Sequence, residues 1–131
     1  MSQTIKEWMK RCYDVAQEKG WHNKPLHIEN ELMNFHAEIS EAWEEIRKGY
    51  SLTDFYYADI NEEGDIIPFG VNDESYIVNG LKPEGFPIEI ADLLIRIFHT
   101  CAYHEIDIEK YMELKEAYNK TRSYRHGGKT C

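Results

Sequence analysis

The sequence contains no apolar run approaching the roughly 18 residues that a membrane-spanning helix needs, which excludes that class. Its first residues, Met1-Ser2-Gln3-Thr4-Ile5-Lys6-Glu7, lack the basic, apolar and small-residue order of a secretory signal, so a cytoplasmic protein is expected. Cysteine is scarce: Cys12, Cys101 and Cys131 are scattered and odd in number, which speaks against a disulfide framework or a zinc site. His22, His27, His36, His99 and His104 show neither metal-ligand spacing nor a nucleophile triad. Internal repeats are also lacking. The formal net charge is −9, which excludes a general nucleic-acid binder, since neutralising phosphates takes a basic surface.

The shortage of basic residues is local. Residues 50–80 hold seven acids and no Lys or Arg, whereas residues 110–131 hold six Lys or Arg against two Glu. An acidic cluster followed by a basic tail suits a metal that carries a small polyanion, and it also suits plain solubility. The hydrophobic fraction of 42 % is that of a globular chain. At 131 residues one domain is expected, with an irregular acidic insertion at about 50–85 and a basic tail at 121–131. A chain of this size gains from a partner subunit.

Four helices are expected. The first, 2–18, places Ile5, Trp8, Met9, Cys12, Val15 and Ala16 at helical spacing and ends at Gly20. The second, 28–48, carries an apolar stripe (Leu32, Phe35, Ile39, Ala42, Trp43, Ile46) and an acidic one (Glu31, Glu38, Glu41, Glu45). The third, 86–104, starts with Pro87 in its first turn and buries Ile90, Leu93, Leu94, Ile97, Phe98 and Cys101. Asp107 caps the fourth, 108–120, with Tyr111, Leu114 and Tyr118 inward. A short strand pair is expected around Asn72-Asp73 in the insertion. The fold class is thus all-α: a four-helix, bundle-like chain with a long connection between its second and third main helices.

Glu38 and Glu41 stand one turn apart, and Glu89 and Asp92 repeat that spacing on another helix. If the helices face one another, four carboxylates converge. An all-oxygen set suits Mg²⁺, with Mn²⁺ as a substitute, rather than zinc. Like charges one turn apart repel, so a stripe of them implies a compensating cation. The competing reading is a solvated acidic face, because Glu-x-x-Glu is common on exposed helices. Glu45 extends the stripe and is a candidate for a second metal or for orienting a water, or is simply exposed; Glu31 is expected at the surface. Asn34 lies on the same side and is expected to be an exposed polar residue unless it contacts substrate. Arg96 is expected to pair with a nearby acid. Anion contacts are available from Lys115, Lys120, Arg122, Arg125 and His126, with Asn119 and Tyr124 beside them.

Three blocks in order resemble the MazG-like family of all-alpha NTP pyrophosphohydrolases, which is related to the dimeric dUTPases. They are Phe35-His36-Ala37-Glu38-Ile39-Ser40-Glu41-Ala42-Trp43-Glu44-Glu45, then the stretch from Lys82-Pro83-Glu84-Gly85 through Glu89-Ile90-Ala91-Asp92 to Arg96, and finally the stretch from Glu116 to Lys129. The resemblance implies Mg²⁺ on Glu38, Glu41, Glu89 and Asp92, with Glu45 positioning the attacking water. It implies cleavage of NTP or dNTP between the α and β phosphates, giving a nucleoside monophosphate and pyrophosphate. It also implies nucleotide contacts from the Lys115, Asn119 and Arg122 stretch, to which Lys120, Tyr124 and Arg125 are neighbours, and assembly as a homodimer or dimer of dimers. Tyr50, Tyr56, Tyr57 and Tyr76 of the insertion are expected to stack on a base or to pack over the helices. Two other readings stay open: an inert nucleotide-binding regulator, and a purely structural helical oligomer.

Overall fold

The structure is a computed structural model that describes residues 3–123. It is mostly helical, with α1 (Ile5–Glu18), α2 (Ile28–Arg47), α3 (Ser75–Val78), α4 (Phe86–Tyr103) and α5 (Ile108–Thr121). A small sheet of β1 (Tyr57–Ile60) and β2 (Ile66–Phe69) lies in the insertion, where a short strand pair is expected, though nearer its start than Asn72-Asp73. The chain divides into two compact units. One holds the described residues of Met1–Asn23 and Phe98–Cys131, and the other is Lys24–Ile97. The tail residues Tyr124, Arg125 and His126 lie outside the described residues.

Helix ends follow from local chemistry. The Thr4 hydroxyl accepts from the Glu7 N–H at 3.1 Å and starts α1, and Asp107 accepts from the Lys110 N–H at 3.4 Å to start α5. At the end of α2, Gly49 takes φ +82°, and the N–H groups of Gly49 and Tyr50 bond back to Ile46 and Glu45. This paired closure satisfies carbonyls that the helix itself leaves open. The same closure ends α1 at Gly20 and α4 at Glu105. Glu105 reaches φ +57° without being glycine, which is why no breaker marks that end in the sequence.

The long connection has its own aromatic core in place of a loose loop. Tyr57 is 1 % exposed, and its ring lies 5.2 Å from Tyr76 and 5.9 Å from Phe69. Its hydroxyl donates to the Asp73 carbonyl at 2.7 Å. The strands pair antiparallel with Tyr57 opposite Phe69 and Ile60 opposite Ile66, so the turn is 61–65 rather than Asn72-Asp73. The Asn61 side chain organises that turn by accepting from the Glu63 and Asp65 N–H groups. Asn72 instead holds the hairpin's base, bonding to Phe55 and Asp54.

Burial reverses the expected faces of α2. Of its apolar stripe only Ala42 is buried, while Ile39, Trp43 and Leu32 are about half exposed. Glu31, Glu38 and Glu45 are buried instead, so Glu31 is no surface residue. Tyr111, Leu114 and Tyr118 of α5 are likewise exposed rather than inward, as are Trp8 and Val15 of α1 and Leu94 of α4. Among the described residues no Leu, Ile, Val, Phe or Met is fully buried. Buried carboxylates beside exposed aliphatics invert the usual polarity of a globular chain.

Candidate metal centre

All the carboxylates singled out by spacing fall in the unit Lys24–Ile97. Glu38 and Glu45 are carried on α2 two turns apart, and Glu89 and Asp92 occupy the first two turns of α4. Glu38, Glu89 and Asp92 each offer an oxygen within 4.8 Å of the others. A second set, Glu45, Glu84 and Glu89, meets the same condition, so Glu89 belongs to both. Two oxygens on opposite sides of one Mg²⁺ lie about 4.2 Å apart, so the first set needs only small side-chain adjustment to hold one ion.

The state of these groups shows what the cluster lacks. Glu38 is 5 % exposed; Arg96 Nε donates to its Oε1 at 2.6 Å, and its Oε2 has no hydrogen-bond partner. An unpaired, buried carboxylate oxygen is costly and calls for a cation or a donor. Burial pushes Glu89 up to about 7, helped by a hydrogen bond to Glu41 and by the charges of Glu41, Asp92 and Glu84. Burial and the Glu38 charge also raise Asp92, against the opposing pull of Arg96 and Lys82. Lys82 is raised in turn, mainly by Glu84, whose carboxylate lies 3.6 Å from its ammonium. Burial and mutual repulsion thus shift Glu89 and Asp92 toward their protonated forms. With no His or Cys in either set, the donors fit a hard divalent ion.

Glu41 is exposed and reaches the cluster through its bond to Glu89. Glu45 is 3 % exposed and accepts from the Tyr56 hydroxyl at 2.7 Å, which settles its side of the helix as inward. Asn34 is exposed. Two participants were missed in the sequence. Glu84 precedes α4 and lies outside its periodicity; the only signal was its place between Pro83 and Gly85, a turn beside the Glu-x-x-Asp pair. Tyr56 is buried with its hydroxyl on a carboxylate rather than free to stack on a base, and burial and Glu45 raise its phenol far above the ordinary value.

The basic candidates Lys115, Asn119, Lys120 and Arg122 belong to the other unit. Lys115 and Arg122 lie over the Tyr118 ring at 4.7 and 5.6 Å, and Lys120 pairs with Glu116 at 3.5 Å. That unit also holds a histidine pair, His22 and His99, whose Nε2 atoms are 2.8 Å apart in stacked rings. No family model, curated protein or solved structure matches the chain.

Proposed function

We propose that this chain is a Mg²⁺-dependent nucleoside triphosphate pyrophosphohydrolase that converts NTP or dNTP to the monophosphate and pyrophosphate. The observation that carries the reading is the meeting of Glu38, Glu89 and Asp92, in which Glu38 keeps one buried oxygen without a hydrogen-bond partner. The resemblance of its three sequence blocks to the MazG-like family supports it independently.

Glu38, Glu89 and Asp92 would hold the ion, with Glu41 joining once its hydrogen bond to Glu89 is given up. A bound Mg²⁺ supplies charge neutralisation for phosphate oxygens and a more acidic water. The protein's own work is placement. Arg96 holds Glu38 in one orientation, and Glu45 orients the water whose oxygen attacks the α phosphorus as the bond to the bridging oxygen breaks. Lys82, beside Glu84, supplies a mobile positive charge for a phosphate oxygen. The family resemblance, and not the geometry, is what assigns nucleotide contacts to Lys115, Asn119, Lys120 and Arg122, with Tyr124 and Arg125 beyond the described residues. The exposed stripe of α2 supports a homodimer, or a dimer of dimers, as the working form.

The test is a panel of NTPs and dNTPs incubated with Mg²⁺ and pure protein, followed by separation of products. Monophosphate and pyrophosphate are expected, with the rate lost in Glu38→Gln and Asp92→Asn. Orthophosphate alone would refute the cleavage position, and no product from any member would refute the activity.

A further inference from the structure

We propose that Tyr56 is a positioning residue of the acidic centre, fastening Glu45 through its hydroxyl and Glu84 through its backbone so that both face Glu89. This deepens the reading above and rests on it for the identity of the reaction.

The case begins with Glu45. A carboxylate 3 % exposed needs donors, and the Tyr56 hydroxyl supplies one at 2.7 Å to Oε2. Among the described residues the other oxygen faces the Lys48 ammonium, 3.6 Å away on a side chain that is 45 % exposed. One oxygen is therefore fixed by a buried neutral group, and the other is left with a mobile partner. A phenol is neutral at ordinary pH, so it orients Glu45 without cancelling charge that a cation would use. An Arg or Lys at this place would hold the carboxylate and also neutralise it.

The same residue controls Glu84. The Tyr56 N–H donates to the Glu84 carbonyl at 3.0 Å, and the Glu84 N–H donates to the Tyr56 carbonyl at 2.7 Å. This isolated antiparallel bridge lies outside the hairpin and fixes the residue that leads into α4. The next residue shows that the approach is built in. Gly85 takes φ +125°, and a Cβ there would stand 2.8 Å from the Asp54 carbonyl oxygen and 3.2 Å from the Phe55 Cα. Only glycine lets the two backbones come this close. On its other side the Tyr56 ring rests 4.6 Å from Tyr50, which the closure of α2 holds by a backbone bond to the Glu45 carbonyl. Two members of the Glu45, Glu84 and Glu89 set thus depend on one tyrosine from the insertion.

A tyrosine that merely fills space gives different results from one that positions Glu45. Tyr56→Phe keeps the ring and removes the hydroxyl. Mn²⁺ binding, measured by calorimetry on the full chain without nucleotide, should weaken about tenfold, the low end for groups that support a metal ligand, because Glu45 and Glu84 meet the proposed ligand Glu89. The kcat for pyrophosphate release should fall by a similar factor with KM for nucleotide unchanged. Glu45→Gln should show the same loss, and adding Tyr56→Phe to it should cost nothing further. Unchanged Mn²⁺ affinity and kcat in Tyr56→Phe, or full additivity of the two losses, overturns the proposal. If Tyr56→Phe fails to fold, Glu45→Gln with the ring and hydroxyl intact decides alone: unchanged Mn²⁺ affinity overturns the proposal. Mn²⁺ affinity that drops in the variants while the wild type releases no pyrophosphate refutes the proposed reaction and leaves the positioning role standing. A wild-type chain that binds no Mn²⁺ overturns both.

Discussion

Arg96 grips one oxygen of Glu38 at 2.6 Å and leaves the other, which is buried, with no hydrogen-bond partner. The guanidinium makes burial of the carboxylate tolerable while one lone-pair set stays available. Removing Arg96 leaves a buried charge uncompensated, which in a closed interior costs about 3–5 kcal/mol. Its side chain is 40 % exposed, so water softens the loss, and Arg96→Ala should destabilise the metal-free protein by about 1–3 kcal/mol. Urea denaturation with and without Mg²⁺ checks this, since millimolar Mg²⁺ should recover part of the difference by binding only the folded form.

Glu89 contributes a pH dependence to the metal-free chain. Its carboxyl keeps a proton up to about 7 when folded, against 4.5 when unfolded. Its contribution to stability is therefore complete below pH 4.5 and is lost as pH rises through about 7. Thermal melts in chelator should show a falling melting temperature across that window. Mg²⁺ should flatten the fall, and binding below pH 7 should release protons. Glu89→Gln should also flatten it, since a neutral amide cannot repel Glu41 or Asp92, and should lower turnover about a hundredfold as a lost ligand. A variant more stable than the wild type at pH 8 yet inactive is the expected signature.

Gly85→Ala tests the close approach of the insertion to α4. Forcing a side chain to φ +125° costs about 1–3 kcal/mol from backbone strain alone. The overlap with the Asp54 carbonyl adds to it, so the melting temperature should drop by on the order of 5–10 °C. If Glu84 moves as a result, turnover of the folded fraction falls as well. A variant as stable and as active as the wild type would mean the two backbones need not approach so closely.

The exposed side of α2 gives the fourth expectation. Ile39 and Trp43 stand one turn apart and are 52 % and 57 % exposed. Sedimentation equilibrium of the wild type should give a multiple of the 15.5 kDa chain mass. Trp43→Glu should shift it toward the single chain, because a charge at an apolar contact loses solvation without gaining a partner. A wild type that sediments as one chain at micromolar concentration would leave the stripe without that role.

The main helices were legible because their periodicity, Asp107 and the glycines at 20 and 49 act locally. The acidic pairs were legible as spacing, and the structure brings Glu38, Glu89 and Asp92 together. Which stripe of α2 turns inward was not legible, since an acidic and an apolar face are equally periodic and only the surroundings choose between them. Tyr56 and Glu84 were hidden for a related reason: their link runs through a backbone bridge across 28 positions, which leaves no repeat in the sequence. The hairpin was misplaced because Asn61 and Asn72 carry the same turn chemistry. Only cross-strand pairing distinguishes the residue that makes the turn from the one that ties its base.

The hairpin also offers a practical handle. Its tip at 61–65 closes on itself through Asn61, and the Tyr57–Phe69 pair separates it from the residues that touch Glu45 and Glu84. A fluorophore or affinity tag grafted at Glu62, which is exposed at this tip, would sit on solvated chain. Such a label would follow assembly in solution while leaving the carboxylates untouched.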